Sequence, residues 1–448
     1  MKPVKKVAPK TETPKKPAES AKKAPAQIGL VRGMRDLLPQ DQPIWDLMRD
    51  KARELAKSYN FDRIDTPLLE ETNLFVRGVG KQTDIVEKEL FSFDTLGGEH
   101  VSLRPESTAS TMRAYIHHGM LNQSQPVKLW SVGPMFRHDR PQHNRYRQFQ
   151  QFACEIIGDA NAVIDAQLIL VSYLFLKELG VEATVHINSI GTPESRVNYK
   201  NALVSYFRTK RNKLSEEDKK RLLKNPMRLL DSKEPGMQEL KAEAPQIVDW
   251  LDEESKAHFM RVLEYLDELN IPYQLDPYLV RGLDYYTRTV FEFYSSSTDP
   301  ELAQSALGGG GRYDGLAEIL GGRPTPAAGF AIGMDRVFNQ LKETAVAQQP
   351  TCEIFVAHLG DQGRKRALAV FEELRKAGLR AGEAFAKDAI KAQMEMANRK
   401  NAKFAVIIGQ KEVIDGTAII RDMDAGTQEI IDVRKVVHEL QKKLGKAV

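Results

Sequence analysis

Cysteine is scarce in this sequence of 448 residues, and its scarcity narrows the classes of protein to which the chain can belong. Cys154 and Cys352 are its two cysteines, and they lie far apart. The sequence has neither a CxxC nor an HExxH spacing and no cluster of histidine with cysteine, so a zinc site is not expected. So few cysteines also fit a reducing compartment, and we predict a cytoplasmic protein.

Long apolar runs are missing too. The longest, near Leu168–Leu176, extends over about nine residues and includes Ser172, whereas a helix that crosses a membrane needs about 20 apolar residues. Residues 1–26 also lack the apolar segment of a secretory signal. We therefore expect no membrane partner.

A large excess of charge of one sign is absent as well, because the formal net charge is +4. Bulk charge therefore does not indicate nucleic-acid binding, and any such site has to be local. The first 26 residues hold eight lysines against Glu12 and Glu19 and contain almost no large apolar side chain. Residues 1–27 are predicted to be a disordered tail, which either solubilises the chain or contacts RNA backbone weakly.

The length and the hydrophobic content of 42% are sufficient for about two or three domains. Residues 192–270 are charged, helical in pattern and nearly free of glycine, which indicates a helical insertion. From residue 351 onward, strand-like and helix-like segments alternate over about 100 residues. This alternation is typical of a compact α/β domain.

Hydrophobic periodicity predicts the main helices and strands. Before the insertion we expect helices at Gln40–Tyr59 and Asp165–Gly180, a helix beginning near Ser107 or Thr108, and strands at Phe61–Glu71 (ending at Pro67), Pro126–His138, Arg147–Ile157 and Ala183–Asn188. After residue 350 we expect strands at Cys352–Leu359, Leu379–Ala384 and Lys403–Gly409, helices at Gly363–Ala377 and Lys387–Lys400, a hairpin around Ala425–Gly426 and a final helix.

The stretch FRHDRPQHNRYRQFQQFACEIIG, residues 136–158, concentrates arginine and glutamine before it turns apolar. A cation, an amide and a carboxylate in one row suit the floor of a pocket for a polar or zwitterionic small molecule, because such groups are costly to bury without a ligand. Arg137, at the end of the first strand, could clamp a phosphate with its forked donors. The alternative is an exposed hairpin with scattered charges. A period of two places on one strand face Arg147, Phe149, Gln151, Ala153 and Glu155.

The stretch LRPEST, residues 103–108, joins an arginine and an acid at a turn. It brings Arg104, Glu106 and Thr108 to the start of a predicted helix. The first backbone amides of a helix can hold an anion, so these side chains are candidates for binding a charged ligand. An ordinary capping arrangement is the alternative.

The stretch LVRGLDYYTRTVFEFY, residues 279–294, places Arg281 close to Tyr285 and Tyr286. A buried arginine beside tyrosines suits the recognition of a phosphate together with a polar ring. The alternative is a structural ion pair between Arg281 and Asp284.

Two glycine-rich stretches leave room for a ligand near the backbone. The glycines of ALGGGGRYDGL, residues 306–316, either let the chain approach a ligand closely or form a hairpin turn, and they match neither a Walker A nor a GxGxxG pattern. In AAGFAIGMDRV, residues 327–337, the alternation of small and large residues leaves space for a flat ring. Arg336 follows at the start of a helix, where it could reach a nucleotide; a tight seam between helix and strand is the alternative.

Together these segments resemble those of class II aminoacyl-tRNA synthetases and, within that class, the histidyl-tRNA synthetase family. IDTPLLEE resembles motif 1, whose proline lies in a dimer interface, the stretch at residues 136–158 resembles motif 2, and GFAIGMDR resembles motif 3. LVRGLDYYTRTVFE and GGGGRYDGL resemble two segments peculiar to the histidyl family, and RGMRDLLP also resembles it. The resemblance extends over residues 28–448.

The resemblance implies an α/β (α+β) fold and a homodimer. The class II catalytic domain would occupy residues 28–345 as an antiparallel sheet flanked by helices, and the helical insertion at residues 192–270 would interrupt it. Residues 351–448 would form a C-terminal α/β domain that binds the anticodon.

The resemblance also implies a reaction and its residues. L-Histidine would be activated with ATP and Mg²⁺ and transferred to histidine tRNA, tRNA(His), and no metal would be held by the protein alone. Arg137 would bind the α-phosphate and the carboxylate, Arg281 would stabilise charge on the α-phosphate, and Arg336 would hold the γ-phosphate side. The implied contacts to histidine are Arg104, Glu106, Thr108, Gln151, Glu155, Tyr285, Tyr286 and Tyr313. The implied contacts to the tRNA acceptor end are Arg140, Gln142 and Arg145.

This chemistry explains the many arginines. Activation joins a carboxylate to a phosphorus that is itself negatively charged, so the protein has to offset repulsion and align the reactants. Three alternatives stay open: a non-catalytic regulatory subunit that keeps the fold and binds histidine, a sensor of uncharged tRNA, and a class II enzyme for another amino acid. The first should lack phosphate-binding arginines or the terminal domain, and the second needs an effector domain.

Overall fold

The computed structural model describes residues 28–81, 83–139, 145–230, 236–296, 306–343 and 352–446. The described residues form two compact units. One consists of those within Met1–Leu38 and Leu47–Leu341, and the other of those within Pro39–Asp46 and Lys342–Val448. The predicted tail at residues 1–27 lies outside the described residues. Within the described ranges, no helix combines the length and the hydropathy of a membrane span.

The part of the chain before residue 344 contains strands β1 to β11 and helices α1 to α10. The strands are β1 (Asp62–Arg63), β2 (Leu69–Glu71), β3 (Phe91–Asp94), β4 (His100–Leu103), β5 (Val127–Phe136), β6 (Gln148–Ile157), β7 (Ala183–Ser189), β8 (Tyr273–Leu275), β9 (Thr287–Ser295), β10 (Ala306–Arg312) and β11 (Ala327–Gly333). The helices are α1 (Gln42–Ser58), α2 (Thr72–Gly78), α3 (Thr108–His117), α4 (Ala162–Glu178), α5 (Pro193–Thr209), α6 (Glu216–Lys224), α7 (Met237–Ala242), α8 (Glu253–Glu268), α9 (Leu316–Ile319) and α10 (Met334–Glu343).

An eight-stranded sheet, called the large sheet below, is the centre of the first unit. Its strands follow the order β1-β5-β6-β11-β10-β9-β7-β8. All neighbours from β5 to β7 are antiparallel, whereas the short edge strands β1 and β8 pair in parallel. The prediction of an antiparallel-rich sheet flanked by helices is therefore confirmed.

Helix α4 covers one face of the large sheet. It is apolar around nearly its whole circumference, because it packs against both the sheet and α8. Phe175 of α4 contacts Phe152 of β6 with ring centroids 4.9 Å apart, and Phe152 contacts Phe330 of β11 at 5.4 Å. Because side chains alternate along a strand, the odd-numbered residues of β6 face the opposite side of the sheet.

The segment between β7 and β8 is helical, as predicted for residues 192–270 in their described part. Helices α5 to α8 lie here, joined by short 3-10 turns. Tyr199, Leu203 and Phe207 of α5 are completely buried, and their spacing of four residues gives the helix one apolar face. The side chains of Thr192 and Asp252 cap the first turns of α5 and α8, which fixes where these helices begin.

The prediction of one strand at Phe61–Glu71, ending at Pro67, was wrong. The backbone pairs only at β1, beside β5, and again at β2, which belongs to a separate three-stranded sheet of order β2-β4-β3. Pro67 lies between the two short strands and has no N–H for a ladder bond. The segment therefore passes from one sheet to another instead of continuing in either.

The second unit contains five strands and four helices among its described residues after residue 351. They are β12 (Ile354–His358), α11 (Gly360–Lys376), β13 (Ala381–Glu383), α12 (Ile390–Arg399), β14 (Phe404–Ile408), α13 (Gln410–Asp415), β15 (Thr417–Asp422), β16 (Gln428–Asp432) and α14 (Val436–Lys443). The strands form one sheet of order β13-β12-β14-β15-β16. The first three of these strands are parallel and the last two add an antiparallel hairpin, so the predicted α/β fold is confirmed. The helix α13 was not predicted, because its two short turns carry little periodicity.

Candidate active site

A cavity of about 400 Å³ lies over the central strands of the large sheet. Strands β6, β10 and β11 contribute its floor. Its walls come from the end of β5, from the loop of residues 281–286 and from the π-helical turn Ile85–Glu89. The antiparallel order of the sheet thus brings together side chains that are far apart in the sequence.

The register of β6 and β11 explains the residues of the floor. Glu155 pairs with Gly329, and Gln151 pairs with Gly333. A Cβ atom on Gly329 would collide with the carboxyl group of Glu155. Small residues on β11 therefore make space for the polar side chains of β6 as well as for a ligand.

Glu106 places a buried carboxyl group on the cavity wall. It accepts a hydrogen bond from the hydroxyl of Tyr285 at 2.7 Å and one from the backbone N–H of Ala109 at 3.1 Å. Burial raises the pKa of Glu106, although these hydrogen bonds and the charges of Arg137 and Arg281 act in the opposite direction. The site thus holds this acid in one orientation, close to cationic groups.

Glu155 lies just behind the wall, beneath Thr108. Its carboxyl group accepts a 2.7 Å hydrogen bond from the hydroxyl of Thr108 and another from the hydroxyl of Tyr313. Burial raises the pKa of Glu155 to about 8, and these two hydrogen bonds offset only part of that rise, to which the acid Glu106 adds. The carboxyl group of Glu155 is therefore mostly protonated at neutral pH in the free protein.

The rings of Tyr285, Tyr286 and Tyr313 form an aromatic cluster at this end of the cavity. The centroids of Tyr285 and Tyr286 are 4.7 Å apart, and that of Tyr313 lies 5.5 Å from the first and 6.4 Å from the second. Burial raises the pKa of all of these phenols, so their hydroxyl groups stay neutral, and those of Tyr285 and Tyr313 donate to Glu106 and Glu155. Such a cluster suits a flat ring that carries polar nitrogens.

Gln151 presents an unsatisfied acceptor to the cavity. Its side chain lines the cavity, and its Oε1 atom is buried without a hydrogen-bond partner among the described residues. A buried polar atom without a partner costs about 1–3 kcal/mol. A ligand that donates a hydrogen bond to this oxygen would remove that cost.

Arg137 follows directly after β5, and two contacts fix its orientation on the cavity wall. Its Nε atom donates to the carbonyl oxygen of Pro105 at 3.0 Å. Its guanidinium group lies 5.5 Å from the ring centroid of Phe149. A guanidinium group held in this way is prepared to bind an anionic oxygen without losing further side-chain entropy.

Arg281 lies across the cavity floor. It forms an ion pair with Glu292 of β9, and its guanidinium group is 5.5 Å from the ring centroid of Tyr286. Burial opposes its charge, but the carboxylate of Glu292 together with Tyr286 and Tyr285 outweighs burial and raises the pKa of Arg281. A Cβ atom on Gly309 would come within 2.8 Å of the Nη1 atom of Arg281. The absence of a side chain at this residue of β10 therefore makes space for the guanidinium group.

Arg336, at the start of α10, is a cation whose charged form is disfavoured by its surroundings in the cavity. It donates to the carbonyl oxygen of Ala306. Burial, together with the nearby charges of Arg145 and Arg137, lowers the pKa of Arg336 to about 10. Arg145 itself pairs with Asp139 at 3.0 Å. A polyanion would relieve the repulsion among these arginines.

Comparison with known proteins gives matches along most of the chain. A family model described as histidyl-tRNA synthetase matches residues 33–337, and a model described as an anticodon binding domain matches residues 353–443. The chain belongs to the histidyl-tRNA synthetase family. The resemblance inferred from the motifs is therefore confirmed.

Relatives of this histidyl-tRNA synthetase family agree in length as well as in sequence. A histidine–tRNA ligase of Dehalococcoides mccartyi is 42% identical over 416 residues, which are 92% of this chain and 99% of the relative. A histidine–tRNA ligase of Desulfatibacillum aliphaticivorans is 44% identical over 405 residues, or 90% and 96% of the two chains. The crystal structure of apo S. aureus histidyl-tRNA synthetase matches with a TM-score of 0.78 and 35% identity, covering 92% and 99%.

Membership of a class II synthetase family implies the use of ATP.

The structure brings most of the residues predicted from the sequence to the one cavity. Glu155 and Tyr313 lie directly behind its wall, bonded to each other. The side chains on the wall itself are Glu106, Thr108, Arg137, Arg145, Gln151, Arg281, Tyr285, Tyr286 and Arg336.

Arg104 is placed differently. Its guanidinium group donates to the carbonyl oxygen and the hydroxyl group of Thr66, at 3.0 and 2.9 Å, and to the carbonyl oxygen of Pro134 at 3.1 Å. These bonds join the motif 1 segment to β5, and the described cavity wall does not include Arg104. The predicted tRNA contacts Arg140 and Gln142 lie outside the described residues.

Some partners in this site were not predicted from the sequence. The ion pair of Arg281 with Glu292 connects a loop to a strand, and the sequence suggested Asp284 as the partner instead. Arg35, from the stretch RGMRDLLP, pairs at 2.5 Å with Asp335, whose other oxygen accepts from the backbone N–H of Gln150. The strand period of TVFEFY, residues 289–294, could have indicated Glu292. Side chains alternate along a strand, so Glu292 lies on the same face as Val290 and on the face opposite to Phe291.

Proposed function

We propose that the protein activates L-histidine with ATP to histidyl-adenylate and transfers the histidyl group to the 3′ end of tRNA(His). One observation carries the proposal: buried carboxyl groups and tyrosines suited to histidine adjoin the cavity that also holds Arg137, Arg281 and Arg336. An amino acid and a nucleoside triphosphate therefore have binding groups side by side, as adenylation requires. Family membership supports the same reaction.

Histidine would bind at the end of the cavity that contains the two acids. Glu106 and Gln151 offer oxygens to an ammonium group or a ring N–H, and Glu155 offers a third once a ligand displaces a hydroxyl group. Tyr286 and Tyr313 would flank the imidazole ring. Because a smaller or apolar side chain would leave these buried groups unpaired, the pocket would reject it strongly.

The arginines would hold the phosphates of ATP. Arg137 would contact the α-phosphate and the carboxylate of histidine, Arg281 would stabilise charge on the α-phosphate, and Arg336 would hold the γ-phosphate side. Each well-placed donor to the transition state typically contributes about 3–4 kcal/mol. Arg145 lies close enough to Arg336 to affect its pKa, so it would sit between the phosphates and the tRNA acceptor end.

Mg²⁺ would enter with ATP. Magnesium keeps several waters and is usually held by phosphates and one or two carboxylates. Among the described residues, no three acids are clustered so as to hold a metal by themselves, so acids that line the cavity, such as Asp84 and Glu89, would only share an ion that the phosphates bring. Its charge would offset the negative charge that the phosphates develop during the attack.

Binding of tRNA would involve both units. We propose a catalytic domain at residues 28–345, a helical insertion within it at residues 192–270 and an anticodon-binding domain at residues 351–448. Arg140 and Gln142, which lie between β5 and β6 in the sequence, would meet the acceptor end together with Arg145. Arg104 would support the site by bracing the motif 1 segment instead of contacting histidine.

A homodimer is proposed from motif 1. Leu68, Leu69 and Phe93 are each more than 40% exposed, and Leu69 and Phe93 belong to the small sheet that β2 joins. Large apolar side chains that are grouped on a surface commonly mark an interface. Gel filtration with light scattering should give twice the chain mass of 50.5 kDa, and a monomer at working concentration would contradict the dimer.

The regulatory subunit that we kept as an alternative is not supported. Such a protein should have lost the phosphate-binding arginines or the terminal domain. Arg137, Arg281 and Arg336 all reach the cavity, and residues 353–443 match an anticodon-binding model.

Exchange of labelled pyrophosphate into ATP, measured with each of the twenty amino acids, tests the proposed function directly. We expect exchange with histidine only, because the pocket has polar partners for its ring. Charging of tRNA(His) by the same preparation tests the second step. Exchange with a different amino acid, or none with histidine, would contradict the proposal.

A further inference from the structure

The helical insertion is attached to the catalytic domain at a compact root. Its first helix, α5, begins after Thr192, and its last helix, α8, begins after Asp252. The hydroxyl group of Ser195 donates to the carboxylate of Asp252 at 3.1 Å, and the backbone N–H of Ser255 donates to the same carboxylate at 2.7 Å. The N-terminal ends of α5 and α8 are therefore joined by hydrogen bonds through Asp252.

This root is also bonded to the segment that leads into β9. The backbone N–H of Ile190 donates to the carbonyl oxygen of Arg288 at 2.7 Å, and that of Arg288 donates to Gly191 at 2.8 Å. The guanidinium group of Arg288 pairs at 2.6 Å with Glu254 in the first turn of α8. The root thus contacts the chain only two residues after the tyrosine pair of the active site.

Arg196, in the first turn of α5, completes the connection. Its Nη1 atom donates to the carbonyl oxygen of Tyr286 at 2.7 Å. Burial lowers the pKa of Arg196, whereas the charges of Asp284 and Glu194 act to keep it protonated. Hydrogen bonds from a charged donor are among the stronger ones in proteins.

The loop that Arg196 holds also borders a second cavity, of about 280 Å³. Arg196 and Lys200 line this cavity together with Arg281, which also lines the active-site cavity. Tyr286 does not line the second cavity, and its side chain is buried in the core. The hydrogen bond from Arg196 therefore joins α5 to the backbone of a residue whose side chain is already held by packing.

We propose that Arg196 is a positioning residue that couples the helical insertion to the histidine pocket through the backbone of Tyr286. It does not line the active-site cavity itself. Tyr286 contacts Arg281 and Tyr285, so a shift of its backbone would move both a phosphate-binding cation and a wall of the histidine pocket. A movement of the insertion would reach the site by the same route. The inference rests on the proposed function and adds a coupling to it.

The test compares Arg196→Met, Arg196→Lys and the matched control Lys200→Met in histidine-dependent pyrophosphate exchange. Lys200 lies one turn further along α5 and lines the same second cavity, and burial lowers its pKa too. We expect Arg196→Met to raise the KM for histidine about tenfold and to lower kcat, with the KM for ATP changed less than about twofold. Arg196→Lys should recover most of the loss, and Lys200→Met should behave as the unaltered protein.

Two results would overturn the coupling: an unchanged KM for histidine in Arg196→Met, or an equal change in Lys200→Met. Calorimetric titration with L-histidine alone provides a second measurement that does not depend on exchange, and thermal unfolding shows whether each variant is folded. If Arg196→Met does not fold, Arg196→Lys is compared with Lys200→Met instead: a rise in the KM for histidine in Arg196→Lys alone supports the coupling, and equal KM values in the two variants contradict it. Absence of histidine binding in the unaltered protein would contradict the proposed function itself and is thus a distinct outcome.

Discussion

Glu155 and Gly329 face each other on neighbouring strands, and each restricts the other. A methyl group at residue 329 would occupy the position of the carboxyl group of Glu155. We predict that Gly329→Ala displaces Glu155 and reduces histidine affinity by at least about tenfold, since one misplaced buried hydrogen bond costs about 1–3 kcal/mol. Titration with L-histidine measures the effect.

Gly333 provides the control for that substitution. It lies on the same strand, and the heavy atom nearest to an added Cβ is 3.5 Å away, an ordinary contact distance. Gly333→Ala should therefore keep its affinity for histidine. If both variants bind alike, space for Glu155 is not the reason for glycine at residue 329.

Substitution of Arg281 should separate catalysis from histidine binding. We predict that Arg281→His abolishes exchange of pyrophosphate, by a factor of about 10² or more, because the shorter side chain cannot reach an α-phosphate. Histidine binding should persist, since Glu106 and the tyrosines remain. Full exchange activity in this variant would refute the role, and Arg261→His, on the exposed face of α8, should be fully active.

At the scale of elements, a buried charge cluster joins α4, α8 and β10. Asp165 pairs with Arg312 at 2.6 Å and with His258 at 2.7 Å, and Asp165 and Arg312 are at most 1% exposed. We predict that Asp165→Asn lowers the free energy of unfolding by about 3 kcal/mol, because it leaves the buried guanidinium group of Arg312 with the partly exposed Asp314, at 3.1 Å, as its counter-charge.

Denaturant unfolding followed by tryptophan fluorescence would measure this loss, since two of the three tryptophans, Trp130 and Trp250, lie in the same unit as the cluster. Asp50→Asn is the control, because Asp50 is mostly exposed in its pair with Arg53 and should change stability by less than about 0.5 kcal/mol. A loss for Asp165→Asn as small as that of the control would show that the cluster does not stabilise the fold.

The elements show why some of the structure could be predicted and some not. Helix α1 has a clear period of 3.6 and β6 was read with a period of two, whereas α4, β5 and β14 are apolar runs whose length and composition indicate a buried helix or strand, so the existence of these elements followed from the sequence. The split of Phe61–Glu71 between two sheets depends on which strands lie nearby, and the local pattern holds no such information.

The candidate site divides in the same way. Residues within a recognisable motif, such as Arg137 and Gln151, were predicted, because the chemistry of anion and amide recognition restricts residue type at fixed spacing. Glu292 and Arg196 were missed, since each acts through a partner brought close only by tertiary structure. Arg104 was predicted as a ligand, but in the structure its bonds brace Thr66 and Pro134.

At the scale of the molecule, the two units have separate cores. The residues that line the active-site cavity all belong to the first unit, whereas Ile354, Val406 and their neighbours form a core in the second. We predict that removal of residues 351–448 leaves histidine-dependent exchange within about threefold, yet weakens tRNA charging strongly. The anticodon contacts proposed for the second unit would be lost, and phosphate contacts alone bind tRNA weakly.

Charging measured at several tRNA concentrations would show whether the truncated protein charges poorly because it binds tRNA more weakly. A rise in the KM for tRNA with little change in exchange supports an anticodon role. Equal charging with and without residues 351–448 would count against that role.

The buried carboxyl group of Glu155 should make the measured heat of histidine binding depend on the buffer. Because the pKa of Glu155 is about 8, its carboxyl group carries a proton at pH 7, and pairing with a cationic ligand would expel that proton into the solvent. Injection of histidine at pH 7 should then be more exothermic in Tris than in phosphate, since Tris gives off more heat when it is protonated. The difference should shrink as the pH rises from 7 to about 8.5, where much of the carboxyl group has ionised while the ammonium group of histidine still keeps its proton. Equal heats in both buffers at pH 7 would show that no such proton is released.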